Sequence, residues 1–555
     1  MKRRVLFLML VFVGFCTPAF ARQNFIDRFL SRYKPSPSSA AATGPLTQDR
    51  LPALIRSGEI PLSVEDLINL TLENNLDISV SRYSPIASEY SILTNNRPFE
   101  PMLRLSANFS RDASRSTTQL TGVASTIEFN NDVAVGYSQT LKTGADIAVD
   151  FTLNRTATNN LFTSFSPLWV GRINYSFTQR VLNGYGRNIN TRAIRIAQNN
   201  KSISEVEFER MVIDLVTQAQ KSYWDLVFTA DDLKVKEDSL RLAEKTLSDN
   251  QRQVDVGTLA RIDLIQSETQ VATRREERVV STFTQNQIQD QVKKVLSRQQ
   301  DAGLVLAKIS PTQRAGLPEP SDILPIADAI RVALENRPEL RQASLRLRNS
   351  EIEVEYAKNQ LLPTLDLTAR FVQSGLGGTQ TIRDGFGPNA PVIAVIPGGV
   401  GDAFANLLKL QNKGFSAGVS MQIPLSNRSQ QAEYARVTTE RRTGEENIKA
   451  IEAQIALEVR NAITAVEMNK ARIETARVSR GLQEQQYAAE QRRFELGAST
   501  VRFVLEEQDN LQRLQTNEIA ALVNYRKALV DYDHALGVTL KKNNVNIEKA
   551  IAALK

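Results

Sequence analysis

The chain has 555 residues, 42% of them hydrophobic and 23% charged, which is typical of a folded protein with several domains. The formal net charge of +7 falls to +4 without Lys2, Arg3 and Arg4, and acids and bases are interspersed along the remainder. This pattern is typical of solvated helices and excludes a nucleic-acid-binding surface. The single cysteine, Cys16, and the single histidine, His534, argue against disulfides, zinc sites and Ser-His-Asp catalysis. We therefore expect no catalytic residue, no cofactor, no bound metal and no nucleic-acid partner.

Residues 1–21 have the features of a secretory signal peptide. Lys2–Arg4 supplies a positive region, Val5–Phe15 an apolar run that is short for a membrane span, and Ala19–Ala21 a small-x-small cleavage site. A retained anchor helix is the alternative. No run of about twenty apolar residues follows, so the exported chain is expected to be periplasmic, secreted or an outer-membrane β-barrel.

The remainder of the chain is organised as two structural repeats. The predicted arm and linker occupy 22–61, and the first repeat occupies 62–300. The inter-repeat linker is predicted at 301–323, the second repeat at 324–538 and the polar tail at 539–555. A helix capped by Ser63 and Asp66 is expected to begin the first repeat and to run to about Asn96. At an offset of 262, the second repeat begins with the same residues: Leu62/Leu324, Asp66/Asp328, Ile68/Ile330, Leu72/Leu334, Glu73/Glu335 and Asn74/Asn336. Such internal repetition determines the architecture.

After Pro101 in the first repeat and Pro363 in the second, the sequence period changes to two. Apolar and mostly polar residues alternate over Leu103–Phe109 and Leu365–Phe371, as in a strand with one face in lipid or in a soluble core. The export signal and the long helices nearby favour lipid. We predict four strands within 103–178 and two within 365–423, with loops at 111–126 and 374–414.

Each repeat ends in a predicted helical hairpin, at 190–297 and 429–536. In the first hairpin every seventh residue is apolar: Val212, Ala219, Leu226, Leu233, Leu240, Leu247 and Val254. Such a repeat predicts a seam that supercoils against a partner helix, and Gly257 is placed to end the helix. At an offset of 240 the register recurs, broken only at Arg480, and leads to Gly497: Val459, Val466, Ile473, Tyr487 and Phe494. For one hairpin alone, a generic coiled coil without function is the alternative.

A signal peptide followed twice by helix, strands and a long helical hairpin resembles the TolC-like outer-membrane efflux protein family beyond residue 61. The family's hairpin-turn pattern is an apolar residue, glycine and, six residues later, Asp with an aliphatic neighbour. The first copy has all four: Val256, Gly257, Asp263 and Leu264. The second copy has Leu496 and Gly497, but Phe503 stands where the family has Asp.

The resemblance implies a mixed fold in which three protomers share a β-barrel in the outer membrane, continued into the periplasm by a hollow α-helical barrel. It implies an outer-membrane channel of a tripartite efflux or type I secretion system, a passive conduit from periplasm to exterior. The implied partners are two further copies of the chain, outer-membrane lipid, a periplasmic membrane-fusion adaptor at the hairpin tips and, through the adaptor, an inner-membrane pump. One protomer has too few strands to close a barrel, so oligomerisation is required if the strands are in the membrane.

The resemblance also implies an aperture at the second tip, formed by Phe494 before the glycine and by acidic positions after it. Glu506 retains one acidic position, whereas Phe503 replaces the other. We consider two roles for Phe503: a hydrophobic constriction that closes by dewetting, or packing in the helix seam. The strand count differs too, because the family uses two strands per repeat and the hairpin around Lys142–Gly144 adds two candidates.

An exported coiled-coil scaffold or adhesin with soluble β modules is the alternative function, and it would be extracted without detergent. An enzyme is disfavoured, because the sequence contains no phosphate-binding glycine loop, metal-ligand cluster or nucleophile motif.

Overall fold

The computed structural model describes Ser31 and Tyr33 and residues 58–296, 302–319, 323–385 and 390–545. The predicted signal peptide, all but these two residues of the arm before 58, and the end of the tail lie outside the described residues. The first repeat and its flanks contain β1 (Glu59–Leu62), α1 (Val64–Asn74), α2 (Leu76–Ser81), α3 (Tyr83–Thr94), β2 (Met102–Arg115), β3 (Ser125–Thr140), β4 (Ala145–Thr158), β5 (Phe165–Arg180), α4 (Arg187–Asn190), α5 (Arg192–Asp255) and α6 (Arg261–Leu296).

The linker and the second repeat follow the same plan. They contain α7 (Ala302–Leu306), β6 (Lys308–Pro311), α8 (Ile326–Asn336), α9 (Pro338–Gln360), β7 (Thr364–Arg383), β8 (Val392–Ile396), α10 (Val400–Leu408), β9 (Asn412–Gln422), α11 (Arg428–Glu495), α12 (Val501–Ala535) and α13 (Thr539–Lys542).

The first helix of each repeat is interrupted. In the first copy, the sequence predicted one continuous helix. Ser63 caps α1 as expected, accepting a hydrogen bond from the Asp66 amide at 3.1 Å. After Asn74 the chain breaks, because the Asn75 side chain accepts from the amides of Asp77 and Ile78 and starts α2. The second repeat breaks at the equivalent Arg337, before the proline that starts α9.

The strands form one antiparallel sheet in the order β2-β3-β4-β5-β7, with β9 and the short β8 both paired to β7. The six predicted strands are present but longer than expected, so the predicted loops are largely wrong. The 111–126 segment is mostly strand, and 374–414 contains the end of β7, β8 and α10. The hairpin β3–β4 lies within the sheet, between β2 and β5, so the two extra strands are part of it.

A small two-stranded sheet joins the N-terminal arm to the inter-repeat linker, and the sequence did not predict it. β1 pairs in parallel with β6, and Ile60, Leu62 and Ile309 are buried beneath it. Tyr223 of α5 is fully buried there; its hydroxyl donates to the Leu62 carbonyl oxygen at 3.2 Å. Two segments predicted as linkers therefore complete the core of the first repeat.

Both helical hairpins form as predicted. The outgoing helices α5 and α11 have 64 and 68 residues, which corresponds to about 100 Å each at ~1.5 Å per residue. Seam residues are buried near the sheet and half-buried towards the tips; the buried ones are Val212, Ala219, Leu226, Val459, Val466 and Ile473. Arg480, the break in the second seam, forms ion pairs with Glu484 at 2.5 Å and with Glu518 of α12. The predicted polar tail begins with α13, whose Leu540 packs against α1, α2 and α5.

Candidate functional site

The sheet has one apolar and one polar face across its whole width. Residues directly opposite each other on neighbouring strands lie on the same face, so the register assigns faces without ambiguity. One such row runs across all six long strands: Leu103, Tyr137, Val149, Tyr175, Phe371 and Phe415. Many side chains of the apolar face are exposed in the single chain. On β9, Phe415 is 90% exposed and Val419 is 68% exposed. An exposed apolar surface of this extent indicates contact with lipid or another protein.

The opposite face is hydrogen-bonded and charged. Thr156 donates to Asn130 at 2.9 Å, Asp132 accepts from Asn154, and Arg180 lies 3.6 Å from Asp146. The rule of alternation that predicted the first strand of each repeat thus holds for the helix-proximal part of all six long strands. The sheet can separate a nonpolar phase from water, as an outer-membrane strand does.

In the part of the sheet next to the helices, both edge strands lack a partner on their outer side within the described residues. β2 bonds only to β3, and β9 bonds only to β7. Free edges present rows of backbone amides and carbonyls, which cannot face hydrocarbon without partners. None of the described α-helices is both long and apolar enough to cross a membrane.

The two hairpin tips have the same backbone geometry. Gly257 and Gly497 have φ values of +78° and +74°, and their amides donate to the carbonyl oxygens of Val254 and Phe494 at 3.0 and 2.9 Å. The next amide in each tip donates to a carbonyl oxygen five residues back. This pair of bonds is the Schellman motif, which ends a helix and requires a left-handed residue.

Apolar residues are exposed at both predicted tips. Val256 is 73% and Leu496 84% exposed, whereas Leu264 is buried and Asp263 half-buried. Among the predicted aperture residues, Phe503 is 52% exposed, Glu506 is exposed and Phe494 half-buried. Phe503 is therefore not part of the seam within one chain, where Val501, Val504 and Leu505 are buried instead.

Between the tips and the sheet, a polar cluster joins the two hairpins. The heptad pattern of the sequence does not indicate this cluster. The Arg274 side chain is 5% exposed and pairs with Glu277 at 2.9 Å and with Asp509 of α12. Gln512 of α12 donates to Glu277 at 2.7 Å, and Lys236 of α5 lies 3.2 Å from the same carboxylate. Burial alone would raise the pKa of Glu277, but the hydrogen bonds and these two cations together hold that pKa below its ordinary value.

The only histidine serves a similar structural purpose. His534 of α12 lies 2.9 Å from Asp214 of α5, and nearby Lys527 pairs with Asp225. Polar contacts thus connect α5 and α12 along their length. Within the described ranges, His, Cys, Asp and Glu side chains form no group of three or more that could hold a metal ion.

Comparison with known proteins agrees with this geometry. Residues 329–538 match the family model described as outer membrane efflux protein. No curated protein sequence matches the chain. The fold is similar to that of the Campylobacter jejuni CmeC outer membrane channel, with a TM-score of 0.60 and 15% identity over 92% of this chain and 93% of that one.

Two further solved structures have the same fold. The outer membrane protein VceC from Vibrio cholerae gives a TM-score of 0.59 at 14% identity, covering 85% of this chain and 96% of that one. The open state of the Neisseria gonorrhoeae MtrE outer membrane channel gives 0.56 at 14% identity, covering 86% and 89%. The predicted fold class is confirmed, and the family description agrees with the expected outer-membrane location. The second repeat thus carries an outer membrane efflux protein domain, and the chain has the fold of the TolC-like outer-membrane channels.

Proposed function

We propose that the chain forms a homotrimeric, passive conduit across the outer membrane, as the channel component of a tripartite efflux or type I secretion system. The observation that carries the proposal is the two-faced sheet with free edges, mounted on two helical hairpins of about 100 Å. Such a sheet is suited to line a barrel with its polar face and to contact lipid with its apolar face.

Closure by copies of the chain follows from the edges. β2 of one copy would pair with β9 of the next, which leaves no strand edge in the hydrocarbon. With six long strands in each of three copies, the wall would have eighteen strands if every strand enters it, not the twelve that the family pattern implies. The β-barrel would therefore be wider than one of twelve strands, although each chain keeps two helical hairpins, because barrel diameter grows with strand number.

We assign the hairpin tips to the periplasmic end, where they would contact a membrane-fusion adaptor and, through it, an inner-membrane pump. Val256 and Leu496 support this assignment, because large apolar side chains exposed at two equivalent turns are suited to protein contact. Energy for transport would come from the pump, so the conduit itself would need no cofactor.

We further propose that Phe503 narrows the lumen at the tips as a hydrophobic constriction. Its 52% exposure in the single chain favours this role over packing in the seam of its own hairpin. Phe503→Asp should raise the conductance of the closed channel in planar bilayers, because a charged ring stays hydrated. Unchanged conductance with lowered thermal stability would instead assign Phe503 to packing between copies.

Membrane fractionation followed by native mass in mild detergent tests the proposal as a whole. We expect the chain in the outer membrane, with a mass of three copies. A soluble monomer or dimer, extracted without detergent, would contradict the conduit and favour an exported scaffold or adhesin. In that case the apolar face would be a protein-binding surface.

A further inference from the structure

We propose that the apolar face of the sheet binds the anionic, phosphate-bearing headgroups of outer-leaflet lipids at three separate basic positions, Arg111, Arg155 and Lys413. This inference rests on the proposed function, since it takes the apolar face to be in contact with lipid. It adds a lipid specificity that a conduit does not require.

The three cations share one face, and each lies at a similar distance from the helix-proximal end of its own strand. They stand on β2, β4 and β9 in different rows of the register, so each is a separate position on the sheet. Arg111 of β2, Arg155 of β4 and Lys413 of β9 occupy the same face as Leu105, Phe151 and Phe415, as the register shows. Arg111 lies nine residues after Met102, Arg155 ten after Ala145, and Lys413 nine before Gln422, each counted from the strand end that adjoins the helices. A tilted strand of nine to eleven residues crosses the hydrocarbon, so all three reach its outer boundary.

The cost of charge in lipid makes this height significant. A lipid-facing Arg or Lys costs about 2–4 kcal/mol at the bilayer midplane but about 0–1 kcal/mol at the interface. Below the three cations, the apolar face of the described strands carries no charged residue. The basic side chains thus begin where the cost falls away, and Arg115 lies four residues further out on β2.

The six long strands place no acid on the same face. The acidic residues of the six long strands all project from the polar face: Asp112, Glu128, Asp132, Asp146, Asp150 and Asp366. The salt bridge within the described sheet, between Arg180 and Asp146, is on that face too. Helix α10, which docks on this face, adds one acid, Asp402, whose carboxylate accepts from the Gly399 amide at 2.8 Å. The three cations outnumber this acid and leave a net positive potential, which attracts anions.

Aromatic rings accompany two of the cations. The Arg111 guanidinium lies 5.7 Å from the ring centre of Phe129, and that of Arg155 lies 5.7 Å from the ring of Trp169. Amphipathic and aromatic side chains concentrate at membrane interfaces. Helix α10 docks on the same face nearby, with Phe404 stacked on Phe151 at 5.8 Å and Leu408 76% exposed. Rings, helix and cations together fit the region between acyl chains and phosphates.

Native mass spectrometry of the full chain in mild detergent provides the test. The probes are dioleoyl-phosphatidylglycerol, dioleoyl-phosphatidylcholine and inorganic phosphate. We expect tighter binding of phosphatidylglycerol than of phosphatidylcholine, and no adduct from inorganic phosphate at the same concentration, because the acyl chains contribute to the site. Each basic residue near an anionic surface contributes about fivefold in affinity.

The triple variant Arg111→Gln, Arg155→Gln, Lys413→Gln removes all three positions and should therefore weaken phosphatidylglycerol binding by about fivefold at each of them. The matched control, Arg104→Gln, Arg172→Gln, Arg370→Gln, removes the same charge from the polar face and should bind like the wild type. The charge-retaining variant Arg111→Lys, Arg155→Lys, Lys413→Arg should restore binding. If the triple variant does not assemble, each single Gln variant should still show the fivefold loss.

Equal binding of the two lipids, or equal losses in the triple variant and its control, would overturn the lipid site and leave the conduit intact. Binding of inorganic phosphate with the same dependence on the three cations would show an anion site without lipid specificity and would overturn it as well. Absence of the chain from the outer membrane on fractionation would overturn the proposed function first.

Discussion

Glycine at two equivalent positions determines where the hairpins turn. Gly257 and Gly497 adopt left-handed φ values, and no atom lies within 4 Å of the position that a Cβ would take at either residue. A substitution there costs conformational energy without steric overlap. The left-handed region costs an L-residue with a Cβ about 1 kcal/mol more than it costs glycine.

Gly257→Ala and Gly497→Ala should therefore each destabilise their tip by about 1 kcal/mol. Hydrogen exchange of the amides around each turn measures this as an approximately fivefold loss of protection. Gly481→Ala is the matched control, because Gly481 lies inside α11 with open space around it and without a left-handed φ. That variant should gain protection, since alanine is favoured in helices. Loss of protection in all three variants would contradict the argument.

Between elements, the contact of α6 with α12 depends on the charge of Glu277. Burial raises the pKa of this carboxyl, but the hydrogen bonds from Gln512 and Arg274 and the charges of Arg274 and Lys236 outweigh burial and lower that pKa below its ordinary value. A lowered folded-state pKa means that the stabilisation is complete above the ordinary value and is lost as pH falls through the folded pKa. Asp509, the other acid that faces Arg274, retains that contact when Glu277 is neutral.

Glu277→Gln should weaken the α6–α12 contact by about 1 kcal/mol at pH 7, and the difference from wild type should shrink as pH falls through the lowered pKa of the folded state. Thermal unfolding from pH 7 to pH 3 measures this dependence. The exposed neighbour Glu276 supplies the control, since Glu276→Gln removes the same charge outside the cluster. A difference that is constant over this range would show that Glu277 acts by packing alone.

Helix α10 packs closely on the sheet because two residues of β7 beneath it are glycines, which have no side chain. A Cβ on Gly375 would overlap the carbonyl oxygen of Ala403 and the amide nitrogen of Leu407, and one on Gly377 would overlap Gly399 and Ala403. Ala403 and Leu407 are buried in this contact. The two glycines of β7 thus form a cradle in which the helix backbone lies directly on the sheet.

Gly375→Ala should release α10, because relief of such an overlap costs about 1–3 kcal/mol and moving a nine-residue helix is the available response. Hydrogen exchange of the 400–408 amides should rise at least fivefold. Gly414→Ala on β9 is the control, since no atom lies within 4 Å of its Cβ position. Unchanged exchange in Gly375→Ala would mean that β7 yields instead of the helix.

At the scale of the whole molecule, sequence predicted what leaves a local periodic signature. The apolar residues at Leu103, Leu105 and Phe109 and the heptad from Val212 have periods of two and seven, so the two-faced sheet and the hairpins were predictable. The pairing of β1 with β6 joins residues about 250 positions apart through backbone bonds, which no local pattern encodes. Gly375 and Gly377 lie in the segment 374–414 that the sequence predicted as a loop, although they mark a close backbone approach.

Assembly of three chains is the largest expectation to test. Introduced cysteines can test it without interference from native thiols, because the single cysteine, Cys16, lies in the predicted leader. Leu105 of β2 and Val419 of β9 each lie three residues from the helix-proximal end of an edge strand, both exposed on the apolar face by 67% and 68%. Paired edges would bring their Cβ atoms to about 5 Å if the two rows are in register.

In membranes, Leu105→Cys with Val419→Cys and a short thiol cross-linker should therefore give bands of one, two and three chains and none larger, because a closed ring of three has no free edge. Leu105→Cys with Tyr175→Cys is the control, since β5 lies inside the sheet and should not link chains. Linking by Leu105→Cys alone would indicate β2 paired with β2 in a two-fold dimer. A ladder beyond three would indicate open, heterologous edge pairing, which does not close into a pore.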